Sequence, residues 1–199
     1  MPTGVAMHDA RAQLFDAAER VLLRAGPVAL TSRAVTTEAG CAKGVLHRHF
    51  ADFDAFLVDL VLDRTAPIRQ RSVALREAAG TGTVVDTLTD TLPELFDPMT
   101  LALIRLVLLR DELRDRLRQV TSVRIPVVMD VTAMIAGYLT AERDLGRVAA
   151  DADIGTLAPT LIGAAHLLFT DREAGPPERP ALRRVVVTVL ASALPDSTR

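Results

Sequence analysis

Apolar residues recur along this chain at three- and four-residue intervals, and no stretch shows the strict alternation of a half-buried strand. Between Asp9 and Ala25 the set Leu14, Ala18, Val21, Leu22 and Ala25 falls on one helical face, and Gly26-Pro27 stops the helix. Residues 1–8 read as a short tail. After two short helices between Thr31 and Phe50, Asp52 caps a fourth that carries Phe53, Phe56, Leu57, Leu60 and Val61, and Pro67 is expected to kink or end it. Gly80-Thr81-Gly82-Thr83 reads as a loop. Helical patterning then runs over Val84 to Phe96, Met99 to Leu109, and Asp111 to Arg143 with an interruption at Pro126. Asp153 caps a further helix, Ile154 to Thr170, and after a loop rich in Pro, Glu and Gly the last helix covers Ala181 to Leu194. The pattern predicts an all-α chain without internal repeats.

The stretch Thr31–Phe50 carries the most specific signal. Thr31 or Ser32 can accept a bond from a free amide of the first turn and so start a helix. Gly40 can adopt the left-handed conformation that ends it and lets a second helix begin within a few residues. Val35, Ala39, Leu46 and Phe50 fall inward, whereas Arg33, Lys43, His47 and Arg48 stay outside. This is a helix-turn-helix, a motif whose second helix, here about Ala42 to His49, enters the DNA major groove. Lys43 can reach a phosphate or guanine, Gly44 lets the backbone approach, Val45 can touch a thymine methyl, and His47 and Arg48 can donate to phosphate or base. The candidate DNA-binding set is Thr31, Ser32, Arg33, Ala42, Lys43, Gly44, Val45, His47, Arg48 and His49.

The run Ala39-Gly40-Cys41-Ala42-Lys43-Gly44-Val45-Leu46-His47-Arg48-His49-Phe50 resembles the AGVSKGTLYRHF signature of TetR-type transcriptional regulators. It departs from that signature at Ala42, Val45 and His47, where the family has Ser, Thr and Tyr; Thr36 stands in place of a small Ala, and Phe53 where a phosphate-binding Lys is common. The segment Asp144–Asp153 is similar to the family's usual turn at that point. The resemblance implies an N-terminal three-helix head, residues 1–52, on a helical effector-binding and dimerisation body, residues 53–199. It also implies a homodimer through the last two long helices, Ile154–Thr170 and Ala181–Leu194, and a near-palindromic double-stranded operator. The function implied is regulation of transcription, as a repressor whose DNA affinity a small apolar ligand modulates. The rival reading is a similar ligand-binding or interaction protein whose head reads DNA poorly.

Composition narrows this further. The formal net charge of -2 excludes a general polyanion binder, so any affinity for DNA is local. Residues 1–50 carry five Arg and one Lys against two Asp and two Glu, and Lys43 is the chain's sole lysine. The single Cys41 allows no intramolecular disulfide or Cys-type metal site, and the four His lack metal-ligand spacing. No nucleophile elbow, Walker loop or dinucleotide fingerprint is present, so neither catalysis nor a cofactor is expected. The N-terminus lacks the signature of a signal peptide, and no apolar run reaches the ~18 residues needed to span a bilayer. A cytoplasmic location without membrane association is expected.

Helices Leu157–Phe169 and Val185–Leu194 are apolar nearly all round, which calls for burial on more than one side, and a second subunit can supply it. Polar residues set among apolar ones mark a possible effector pocket: Arg105, Asp130, Tyr138 and His166, with Phe96, Met99, Met129, Met134 and Phe169 able to line it. Each has a plainer role open to it. Arg105 and Asp130 can pair with each other or with neighbours, His166 can lie at the dimer interface, and the methionines can fill core.

Overall fold

A computed structural model describes residues 4–42, 44–123, 125–170 and 175–195, with side chains from residue 10. All regular structure among the described residues is helical, in ten helices. The chain packs as two units, residues 1–64 with 98–127, and residues 65–97 with 128–199.

The first unit begins with α1 (Gly4–Ala25), which buries Leu14, Phe15, Ala17, Ala18, Val21 and Leu22. The helix starts at Gly4, so the expected tail up to His8 is partly helical. Next come α2 (Ser32–Glu38), α3 (Gly44–His49) and the first half of α4 (Phe53–Glu77). Phe15, Phe50 and Phe56 meet with ring centroids 5.0–5.8 Å apart, tying α1, the end of α3 and α4 into one aromatic core. The unit is completed by α6 (Pro98–Leu109), which packs on α1, and α7 (Asp111–Thr121).

Of the two outcomes expected at Pro67, a kink or an end, the helix does not end there: α4 continues through it. Proline removes one backbone donor and crowds the carbonyl four residues back, here that of Asp63. Burial of Val61, Thr65 and Ile68 on the same helical stripe holds the register across that defect. The interruption between Asp111 and Arg143 begins before Pro126. Ser122, at φ 66°, ends α7 in the left-handed region with its amide on the Arg118 carbonyl, and α8 (Pro126–Asp144) takes Pro126 as its first residue.

In the second unit α5 (Val84–Leu95) buries Val84, Val85, Leu88, Thr89, Leu92 and Leu95, a stripe with the helical period. Thr83 caps it by accepting from the Asp86 amide at 3.0 Å. As expected, Asp153 caps α9 (Ile154–Thr170), accepting from the Thr156 amide at 3.1 Å. The last helix, α10 (Arg179–Val189), starts earlier and ends earlier than the expected Ala181–Leu194. Leu190, Ala193 and Leu194 stay buried beyond it, in turns whose amides still bond carbonyls three and four residues back. Arg179, at the start of α10, reaches Asp86 and Asp90 of α5 at 3.0 and 2.7 Å. No single helix among the described residues is long and apolar enough to cross a membrane.

Candidate nucleic-acid interface

The turn between α2 and α3 is built as its residues dictate. Thr31, in extended conformation, accepts from the Ala34 amide at 3.1 Å and starts α2. At the far end Gly40 sits at φ 65°, and the amides of Gly40 and Cys41 bond the carbonyls of Thr37 and Thr36 at 3.1 and 3.0 Å. Gln13 of α1 donates to the Ala39 carbonyl at 3.1 Å, so α1 also helps close that helix end. Val35 and Leu46 are wholly buried beneath the turn, and Phe50 is nearly so. Thr36, placed where a smaller residue is usual, keeps its hydroxyl satisfied by the carbonyls of Ser32 and Arg33 at 3.0 and 3.2 Å.

Of the residues singled out from sequence, Thr31, Arg33, Ala42, Gly44, His47 and Arg48 are exposed, and Val45 and His49 are half-buried. The hydroxyl of Ser32 is enclosed and has no partner. Lys43 lies outside the described residues. Thr37, exposed one turn after Arg33, joins this set although its residue type gave no hint of it. The last turn of α3 collects His47, Arg48 and His49 and carries no acidic residue. By contrast, the cations of α1 are already engaged: Arg20 and Arg24 hold Glu38 at 2.8 and 2.7 Å, and these bonds, that of Arg24 first, keep its carboxyl below the ordinary range.

Two contacts, from α7 and from the residue that precedes it, brace this motif and were invisible in the sequence. Arg116 grips both carboxylate oxygens of Asp52 at 2.9 Å. Asp52 also caps α4 by accepting from the Ala55 amide at 2.7 Å. That amide and then the guanidinium hold the Asp52 carboxyl below its usual range. Arg110, immediately before α7, donates to the Leu30 carbonyl at 2.7 Å and lies 5.6 Å above the Phe53 ring.

The residues proposed for an effector pocket divide between the units. Met99 and Arg105 belong to the first, and Phe96, Asp130, Met134, Tyr138, His166 and Phe169 to the second. Within the second, Phe96 stacks on Phe169 at 4.9 Å and lies 5.9 Å from His166. Asp130 and Met134 are one turn apart on α8, and Met134 is buried. One carboxylate oxygen of Asp130 is enclosed without a partner; burial raises this group's pKa, and the charge of Arg69 opposes that. Tyr138 is completely enclosed, and its hydroxyl lies near Thr87 and Glu142 without a well-formed hydrogen bond. Burial pushes this phenol's pKa up. Met129, expected to line the same space, is 51% exposed. Sequence reasoning passed over Glu142, which is wholly buried, accepts from the Gly80 amide at 3.2 Å and pairs with Arg147 at 3.0 Å. Among the described residues no group of three or more His, Cys, Asp or Glu could hold a metal ion.

Residues 14–60, covering the end of α1 through the start of α4, match the family model "Bacterial regulatory proteins, tetR family". A comparison with curated proteins finds no match. Solved structures share the fold over nearly the whole chain. A member of the TetR family from Streptomyces coelicolor A3 is 21% identical, with 91% of this chain and 98% of that one covered and a TM-score of 0.65. SmeT, the repressor of the Stenotrophomonas maltophilia multidrug efflux pump SmeDEF, is 18% identical over 95% and 92% of the two chains, with a TM-score of 0.66. The transcriptional regulator FadR from Bacillus subtilis, in complex with stearoyl-CoA, is 16% identical over 90% and 97%, with a TM-score of 0.70.

Proposed function

We propose that this chain, which belongs to the TetR family of bacterial transcriptional regulators, is a repressor that reads a near-palindromic operator and is modulated by a small ligand. The observation that carries the reading is the α2–turn–α3 motif. Its apolar residues are buried, and Arg33, Thr37, Ala42, Gly44, His47 and Arg48 are left exposed. With a net charge of -2 for the whole chain, binding to DNA is local to this cationic rim and to Lys43. Residues 1–52 are its DNA-binding part and residues 53–199 its effector and dimerisation part.

The dimer is proposed through α9 and α10. Pro159, Thr160, Gly163 and Leu167 of α9 are exposed at helical spacing, and Leu167 is 71% exposed. A Cβ added at Gly163 would meet nothing within 4 Å, which leaves room for close approach by a partner helix. Two heads related by a two-fold axis would read half-sites about one helical turn apart.

Phe96, Asp130, Met134, Tyr138, His166 and Phe169 are the second-unit residues assigned to the effector. SmeT is the repressor of a multidrug efflux pump and FadR is bound to stearoyl-CoA, which supports assigning both properties to this chain. Regulation is a coupling free energy: the effector favours a head spacing that fits the operator poorly, so each ligand weakens the other. A reporter driven by the DNA immediately upstream of the chain's own gene tests this. Expression of the chain should silence the reporter, and deletion of residues 1–52 should restore it. Equal reporter output with and without the chain would reject the reading.

A further inference from the structure

Arg116 and Arg110 touch the frame of the α2–turn–α3 motif rather than its exposed rim. Arg116 meets both oxygens of Asp52, and one of those oxygens already caps the Ala55 amide. A capping carboxylate otherwise rotates about its side-chain bonds. A planar guanidinium bound in bidentate fashion fixes it in one orientation. Asp52 lies two residues after Phe50, whose amide closes α3 on the Leu46 carbonyl at 3.0 Å. Fixing Asp52 therefore fixes where α3 ends and where α4 begins.

Arg110 acts at the other end of the motif. Its donor meets the carbonyl of Leu30, a wholly buried residue that directly precedes the Thr31 cap of α2. The same guanidinium lies over Phe53, the first residue of α4. Between them, two arginines six residues apart hold the entry to α2 and the exit from α3. Neither element can shift against the other without breaking a charge-assisted bond.

We infer that Arg110 and Arg116 are positioning residues for operator binding, a clasp, from α7 and the residue that precedes it, that sets the angle of the recognition helix without touching DNA. The inference rests on the DNA-binding reading given above. A direct phosphate role suits Arg116 poorly, because its charge and two of its donor groups are already committed to a carboxylate. A clasp suits both, since each touches the backbone or cap at a helix boundary.

The test is a titration of the upstream DNA with the full-length protein, as wild type, Arg110→Gln, Arg116→Gln and Asp52→Asn, over a range of salt. The second readout is amide hydrogen exchange of the same proteins without DNA. Each variant should lose about threefold to tenfold in affinity, in keeping with one partly exposed charged contact. The slope of log affinity against log salt should stay at the wild-type value, because no phosphate contact is lost. Asp52→Asn combined with Arg116→Gln should cost no more than either alone. In the free protein, exchange should quicken near residues 31–34 in Arg110→Gln and near 52–56 in Arg116→Gln. A slope lower by about one would make the arginine a phosphate contact and overturn the clasp. So would unchanged affinity, or unchanged exchange. Failure of the wild type itself to bind DNA would count against the proposed function, and the exchange data would still decide the clasp.

Discussion

Glu142 and Arg147 face each other at 3.0 Å, and the carboxylate is wholly enclosed while the guanidinium remains 24% exposed. Glu142 also accepts from the Gly80 amide, and Arg147 donates to the Gly82 carbonyl at 2.7 Å. The pair therefore pins the Gly80–Gly82 loop to the end of α8. Taking away one partner strands the other. Arg147→Met should cost about 3 kcal/mol, because a buried carboxylate is left unpaired, whereas Arg147→Met with Glu142→Gln should recover most of that loss. Urea denaturation of the three proteins measures it, and an additive double variant would contradict the pairing.

Asp52, Asp86 and Asp153 are all held below the usual carboxylate range, by the Ala55 amide, the Thr83 hydroxyl and the Thr156 hydroxyl respectively as the largest causes. A depressed folded pKa means that stability is present above the unfolded value, near pH 4, and is lost as pH falls through the folded value. These three carboxylates should thus make thermal midpoints drop as pH falls below about 4. Asp52→Asn should lose less on acidification than wild type, since it no longer has that proton to take up.

Asp130 has the opposite sign. Its charged form is disfavoured in the fold, so this residue subtracts stability as pH rises through and above its unfolded value. Asp130→Asn should raise stability at neutral pH by up to about 1 kcal/mol, because the unpartnered buried oxygen no longer bears charge. Equal midpoints for the two proteins at pH 7, with a gap opening only at pH 3, would contradict this assignment.

Thr31 carries a local role that can be isolated. Thr31→Ala removes the acceptor for the Ala34 amide and should cost about 1 kcal/mol, while Thr31→Ser should restore nearly all of it. Calorimetric midpoints of the pair of variants provide the measurement.

The helices were legible where burial and hydrogen bonding follow the same period. Val84 to Leu95 shows an uninterrupted apolar stripe, and Asp153 sits where a cap must be. The helix-turn-helix was legible because Gly40, Leu46 and Phe50 leave few other solutions. Elsewhere the two signals separate. Leu190, Ala193 and Leu194 remain buried after α10 has ended, and Pro67 breaks one hydrogen bond without breaking α4. Long-range pairs gave no local signal at all: Arg116 reaches Asp52 across 64 residues, and Glu142 reaches Gly80 across 62. Such partners are chosen by packing and lie beyond any window of periodicity.

The exposed cations of α3, together with Lys43, are the groups proposed to bind DNA. Fluorescence polarisation on the DNA immediately upstream of the chain's own gene tests this most directly, with Arg48→Ala and Lys43→Ala as controls. Wild type should bind with an affinity that falls steeply as salt rises, and each variant should bind more weakly with a shallower salt slope while melting as wild type does. No binding by wild type at low salt, or equal binding by all three proteins, would contradict it.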